Sequence, residues 1–136
     1  MNSKIRNVLA VIVGLIAGSA VNMGLVMVGA QIIPPPAGVD VTNVDSIKAS
    51  IHLFESKHFI VPFLAHALGT LVGAYVTVII AATYRIVLGL VIGVLFLLGG
   101  ITNAFMLPSP AWFVVVDLVG AYIPMAWIGT RLTKKV

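Results

Sequence analysis

The sequence predicts an all-α integral membrane protein: a bundle of four transmembrane helices, with one short amphipathic helix in its longest loop. Three observations predict it. Four apolar stretches, residues 8–30, 59–83, 86–107 and 111–129, approach or pass the ~20 residues a helix needs to cross a ~30 Å hydrocarbon layer. Hydrophobic residues make up 60% of the chain and charged residues 9%, with a mean hydropathy of +1.15, outside the range of soluble domains. The stretches follow one another closely except across residues 31–58, so 1–136 reads as a single membrane domain with no separate soluble unit.

The first stretch follows Lys4 and Arg6 and superficially resembles a secretory signal. Its apolar region is too long for a signal core and carries Gly14, Gly18 and Asn22, so it reads as a retained span. Ala10, Gly14 and Gly18 recur every fourth position, with Asn22 completing the row.

The extracytoplasmic loop, 31–58, begins with Pro34-Pro35-Pro36, which fixes an extended stretch, and Gly38 then frees the chain to turn. Thr42 and Asp45 offer a capping-box-like start. From there to Ser56, Val44, Ile47, Ile51 and Phe54 form one face, and Asp45, Lys48, His52 and Glu55 the other. That pattern predicts an amphipathic helix on the outer interface or over the bundle mouth. His52, Glu55 and His58 fall in an H-x-x-E-x-x-H pattern, but His52 lies well round the helix from His58. No second carboxylate-bearing helix completes a site, so no metal is expected.

Pro62 sits in the first turn of the second span, where its missing N–H costs little. That span carries Ala65, Gly69, Gly73, Thr77 and Ala81, one small residue every four positions, and the third span carries Gly89 and Gly93. Helices in lipid associate through close backbone approach, so these rows predict a central second helix packed closely on the first. Pro108-Ser109-Pro110 makes a short link to the fourth span, which Pro124 should kink. Trp112 and Trp127 lie near its two ends, at the positions of an interfacial belt.

The net charge of +4 does not point to nucleic acid, because of where the charges lie. With both termini in the cytoplasm, Lys4, Arg6, Arg85, Arg131, Lys134 and Lys135 fall inside. Only Lys48 and Lys57 fall outside, beside Asp40, Asp45 and Glu55. The expected partners are the bilayer and a second copy or another membrane protein. The absence of cysteine excludes thiolate nucleophiles, thiolate metal sites and disulfide chemistry, and no cofactor is expected.

Polar groups inside spans are costly and carry a functional hypothesis by default. At 1.5 Å per residue, His66 and Asp117 lie about 10 Å below the outer surface, Asn103 about 6 Å and Asn22 about 12 Å. Each span thus gives one polar group to the same outer layer. Asp117 is the only acid in any span and needs a partner or must keep its proton; His66 is the candidate. Two readings stay open for this layer: a ligand or ion pocket facing outward, and an interhelical hydrogen-bond clamp.

Pro34-Pro35-Pro36-Ala37-Gly38, and later Leu64-Ala65-His66-Ala67-Leu68-Gly69-Thr70-Leu71-Val72-Gly73-Ala74, resemble a recurring set of small four-span proteins of the bacterial inner membrane with no assigned activity. The resemblance implies that location and one four-helix unit. The functional expectation is a helix-packing accessory or scaffold unit that self-associates or joins a larger membrane assembly. The alternative is a small-solute, ion or proton transporter or channel built on Asp117 and His66.

Overall fold

In the computed structural model, residues 1–134 are described, and they are helical with no strand. Lys135, counted above in the basic tail, lies outside the described residues. The order is α1 (Ser3–Ile32), α2 (Val44–Ser50), 3-10 turns at Ile51–Leu53 and Ser56–Phe59, α3 (Ile60–Ile80), α4 (Arg85–Met106), α5 (Ala111–Gly120) and α6 (Ile123–Arg131). Four helical segments, Ser3–Ile32, Ser56–Ile80, Arg85–Met106 and Ala111–Arg131, are long and apolar enough to cross a membrane. The bundle has a loop end, where residues 33–59 lie, and a terminal end, where the start of α1, the end of α6 and the α3–α4 turn lie.

Helix α3 is the axis of the bundle. Ala65, Gly69, Thr70, Gly73, Ala74, Thr77 and Val78 are buried along it, whereas the 30-residue α1 buries only Ala10, Gly14 and Gly18. The two helices run antiparallel and nearly backbone to backbone. A Cβ added at Gly18 would sit 2.6 Å from the Gly69 carbonyl oxygen, and one at Gly69 would sit 2.8 Å from that of Gly18. One turn further toward the terminal end, Gly14 and Gly73 repeat the arrangement, at 2.7 and 2.9 Å. Thr77 Oγ1 donates within the same contact, to the carbonyls of Gly73 (2.9 Å) and Ala10 (3.2 Å). On the opposite side, Gly89 meets Thr130 and Val78, and Gly93 leaves room for Ala126, which brings α4 against α6.

The terminal end is tied by polar caps. Asn7 of α1 reaches into the α3–α4 turn, where its Oδ1 accepts from Ala82 N (2.9 Å) and Thr83 N (3.2 Å) and its Nδ2 donates to Thr83 Oγ1 (2.8 Å). Arg6 Nε donates to the carbonyl of Ile80, and Arg85 Nε to that of Ala81 (3.0 Å), so cationic side chains satisfy the last carbonyls of α3. Tyr84, at φ 50, makes the left-handed step that lets α4 start at once.

Two local expectations are corrected. The loop does not hold one helix from Thr42 to Ser56. Asn43 is the N-cap, accepting from Ser46 N (3.1 Å), and α2 ends after seven residues in a 3-10 turn broken at Phe54. Asp40 instead uses its carboxylate to accept from Thr42 N and Oγ1, which holds it below the usual carboxylate range. Near Pro124 the fourth span is not simply kinked but divided, into α5 and α6. Proline sits in the first turn of α6, where a missing N–H is harmless, and the break falls at Ala121 and Tyr122.

The close approach of α1 and α3 makes a testable distinction. Gly18→Ala should cost about 1–3 kcal/mol, because the Gly69 carbonyl and the Phe96 ring block the added carbon. Gly24→Ala, with nothing within 4 Å, should be neutral or stabilise by up to about 1 kcal/mol through helix propensity. Reversible unfolding in bicelles compares the two.

Candidate functional site

At the loop end the helices no longer meet backbone to backbone, and polar side chains fill the interior. His66 is on the second turn of α3, one helical turn before Thr70, whose hydroxyl donates back to the His66 carbonyl (2.7 Å). Asp117 is near the end of α5 and is 5% exposed. His66 Nδ1 and Asp117 Oδ1 lie 2.8 Å apart, and Tyr122 OH donates to Asp117 Oδ2 at 3.1 Å. The Tyr122 ring stacks on the His66 imidazole, with centroids 5.8 Å apart and planes 25° from parallel. Both carboxylate oxygens are therefore held, as a buried charge requires.

This geometry assigns roles to the ring nitrogens. With Asp117 ionised, Nδ1–H donates to Oδ1. Nε2, which has no protein partner among the described residues, is then an acceptor, or a donor when the ring is doubly protonated. One imidazole nitrogen is fixed by the carboxylate and the other is left for chemistry.

Tyr122 escapes a sequence reading. It lies five residues after Asp117, which puts it off the face that Asp117 occupies in a regular helix. The break between α5 and α6 turns it back, and its ring fits against Gly100 of α4, where a Cβ would lie 2.5 Å from the phenol oxygen. The available signal was Gly120 and Pro124 flanking an aromatic residue.

Asn22 and Asn103 stand across from this cluster. They line the same chamber as His66 and Asp117, a cavity of about 310 Å³ bounded by α1, α3, α4 and α5. Asn22 Oδ1 is buried and has no hydrogen-bond partner among the described residues. The Asn103 residue is exposed at the chamber edge. Most of the remaining wall is apolar, with Val26, Leu107, Val114 and Leu118 on the sides and Ile47, Ile51 and Phe54 roofing the loop end. Phe59, packed on Phe113 (centroids 4.6 Å apart) and Trp112 (5.7 Å), fastens that roof to α5. A second cavity, about 260 Å³, shares Asn22, His66, Gly100 and Asn103 and extends along the seam between α1 and α4 past Gly18 and Gly99.

Of the two loop histidines, His58 lines the roof of the chamber and is engaged locally. His58 Nδ1 accepts from Glu55 N (2.8 Å) in a capping box, and its ring packs edge-on against Phe54. Among the described residues no three His, Asp or Glu side chains converge on one point. Gly14, Gly18, Gly69, Gly73, Gly89 and Gly93 lie in the helix contacts described above, and Gly18 and Gly69 also border the second cavity.

The Asp117–Tyr122 bond should contribute a modest interhelical energy. Tyr122→Phe is expected to lower stability by about 0.6 kcal/mol and no more than about 1.7. Gly100→Ala should cost more, because it displaces the whole ring; unfolding of the two variants in one bicelle system checks the order. Compared with protein-family models, curated proteins and solved structures, the chain matches none, so its function rests on this geometry.

Proposed function

We propose that this is a multi-pass protein of the bacterial inner membrane with both termini in the cytoplasm. Its loop-end chamber is an outward-facing binding site for a small solute, coupled to the proton held between His66 and Asp117. Its apolar exterior supports insertion: Val8, Ile16, Phe105 and Val119 are each at least 60% exposed, which water would penalise and lipid does not. Orientation is supported by charge, since Lys4, Arg6, Arg85, Arg131 and Lys134 gather at the terminal end. There the Arg131 guanidinium lies over the Trp127 ring, 5.2 Å from its centroid, a pairing suited to a headgroup layer.

The observation that carries the binding reading is the unpartnered, buried Asn22 oxygen beside a cavity that also holds His66 and Asp117. A clamp that only fixed helix order would satisfy its polar groups and close over them. Here the carboxylate is satisfied, while an amide oxygen and an imidazole nitrogen are left over at a concave, mostly apolar space, the usual make-up of a ligand site. The terminal half of the bundle is closed by Gly14, Gly73, Thr77, Gly89 and Thr130, so transport requires a second conformation in which α1 and α3 part there.

A second reading, the helix-packing scaffold, is favoured by α1. Thirty residues long, with three buried, it offers a long apolar face to lipid, to a second copy or to another membrane protein. In that case the cluster is structural and the protein moves nothing.

Asp117→Asn separates the two. The amide is isosteric and can donate to Nδ1 if the imidazole adopts its other tautomer, so the fold should persist within about 1 kcal/mol. Nε2 then carries the proton and is no longer an acceptor. In liposomes with an interior pH dye and an imposed potential, proton flux should fall at least about tenfold, equivalent to ~1.4 kcal/mol. Equal flux from protein and variant, or none above empty liposomes, leaves the scaffold reading.

The absence of cysteine makes orientation simple to measure. A membrane-impermeant maleimide applied to intact cells should label Lys48→Cys and not Thr83→Cys. The reverse pattern overturns the assigned orientation.

A further inference from the structure

The chamber has a recognisable chemical preference, and the second cavity indicates how a ligand reaches it. We infer that the chamber takes a membrane-partitioned amphiphile, with an apolar chain and an uncharged hydroxyl headgroup, admitted sideways through the seam between α1 and α4. This rests on the reading of the chamber as a binding site and names the ligand class.

Consider first the headgroup. Three polar side chains near it have capacity to spare: Asn22 through its unpartnered oxygen, His66 through Nε2, and Asn103 at the edge. A hydroxyl both donates and accepts, so it serves either edge of the Asn22 amide and His66 in either tautomer. Donation to the buried Asn22 oxygen also removes the penalty of an unmade hydrogen bond.

Charged headgroups fit badly, for different reasons. Among the described residues no lysine or arginine lines either cavity, and of the two imidazoles in the chamber wall His58 accepts from Glu55 N and His66 is paired with Asp117, so a carboxylate or phosphate would be desolvated without a cation of its own. An ammonium meets only one counter-charge. Both oxygens of that carboxylate are already held, by His66 and Tyr122, and only 5% of the residue is exposed. Losing its water there is poorly compensated.

The chain and the entry route follow from the walls. Val26, Leu107, Val114 and Leu118 give an apolar lining of the kind an alkyl or prenyl chain fills. The second cavity reaches the same Asn22, His66 and Asn103 from the side, where Gly99 is exposed and has nothing within 4 Å of its Cβ position. At that depth the side of the bundle is apolar, with Leu95 and Leu98 exposed on α4, so the slot opens toward hydrocarbon. The ligand is therefore one already dissolved in the membrane.

The test uses the full chain in phosphatidylcholine nanodiscs and three photoactivatable diazirine probes of equal chain length: a long-chain alcohol, the matching carboxylic acid and the matching amine. Crosslinked positions are read by peptide mass spectrometry. The alcohol should label chamber positions on α1, α4 and α5 at least about tenfold more than the acid or the amine, a difference of ~1.4 kcal/mol in binding. Asn22→Leu should reduce alcohol labelling about fivefold to tenfold. Gly99→Trp, at an open position, should slow it at least about tenfold, whereas Gly24→Trp, open but away from the seam, should label as the unaltered protein does.

Acid or amine labelling the chamber as well as the alcohol overturns the headgroup assignment and leaves the chamber as a binding site. Unaltered rates in Gly99→Trp overturn sideways entry. Labelling by all three probes on the lipid-facing surface alone overturns both the ligand class and the binding reading beneath it.

Discussion

The architecture depends on one close approach, that of α1 to α3 through Gly14, Gly18, Gly69 and Gly73. In a bilayer no difference in hydrophobicity drives two helices together, and contact must come from dispersion and from backbone groups brought near. Four missing side chains supply that nearness. The reciprocal placement of each glycine against the other helix's carbonyl, between 2.6 and 2.9 Å from a notional Cβ, leaves no room for even an alanine. Because the contact is so close, it also has an abrupt end. The row that begins with Ala10 finishes at Asn22, the first residue on that face too large to continue it, and beyond it the contact passes from backbone to side chains, as where Gly29 faces Val61.

That change of spacing is what makes the loop-end chamber. On the far side of α3 the space is kept open by a different device, the division of the fourth span into α5 and α6. A continuous helix would carry Tyr122 away from Asp117. The break returns it, and the phenol takes the second carboxylate oxygen while the ring lies along the imidazole. Tyr122 thus ties α5, α6, α4 and α3 at one point, with Gly100 providing the seat. The result is a cluster in which the acid is satisfied and the histidine is only half used.

Much of this is legible in the residues, for reasons that differ by level. Four apolar runs of sufficient length become four helical segments, since a helix alone satisfies the backbone in a non-aqueous surrounding. Depth along each run brings His66, Asp117, Asn22 and Asn103 toward one level, because rise per residue is fixed. What depth does not supply is rotation about each helix axis and the shape of irregular backbone. Tyr122 was hidden for that reason, as was Asn7, whose side chain organises a turn more than seventy residues away. The loop misled in its own way. Spacing over 44–54 fits one amphipathic helix, but Asn43 caps late and Phe54 turns inward to the aromatic cluster around Phe59, so the chain breaks where tertiary packing outweighs local periodicity.

The two halves of the bundle differ in kind. At the terminal end, small side chains and capped carbonyls leave no buried side-chain polar atom without a partner among the described residues, and the helices are held by short contacts that resist separation. At the loop end the contacts are aromatic and longer, the covering segment is made of a seven-residue helix and two single turns, and one amide oxygen has no partner. Local opening has its lowest cost where backbone hydrogen bonds are few and elements are short. The polar cluster thus lies in the yielding half of the bundle, and the glycine contact closes the other half. On the proposed binding reading, release toward the terminal end is opposed by the same close approach that builds the fold.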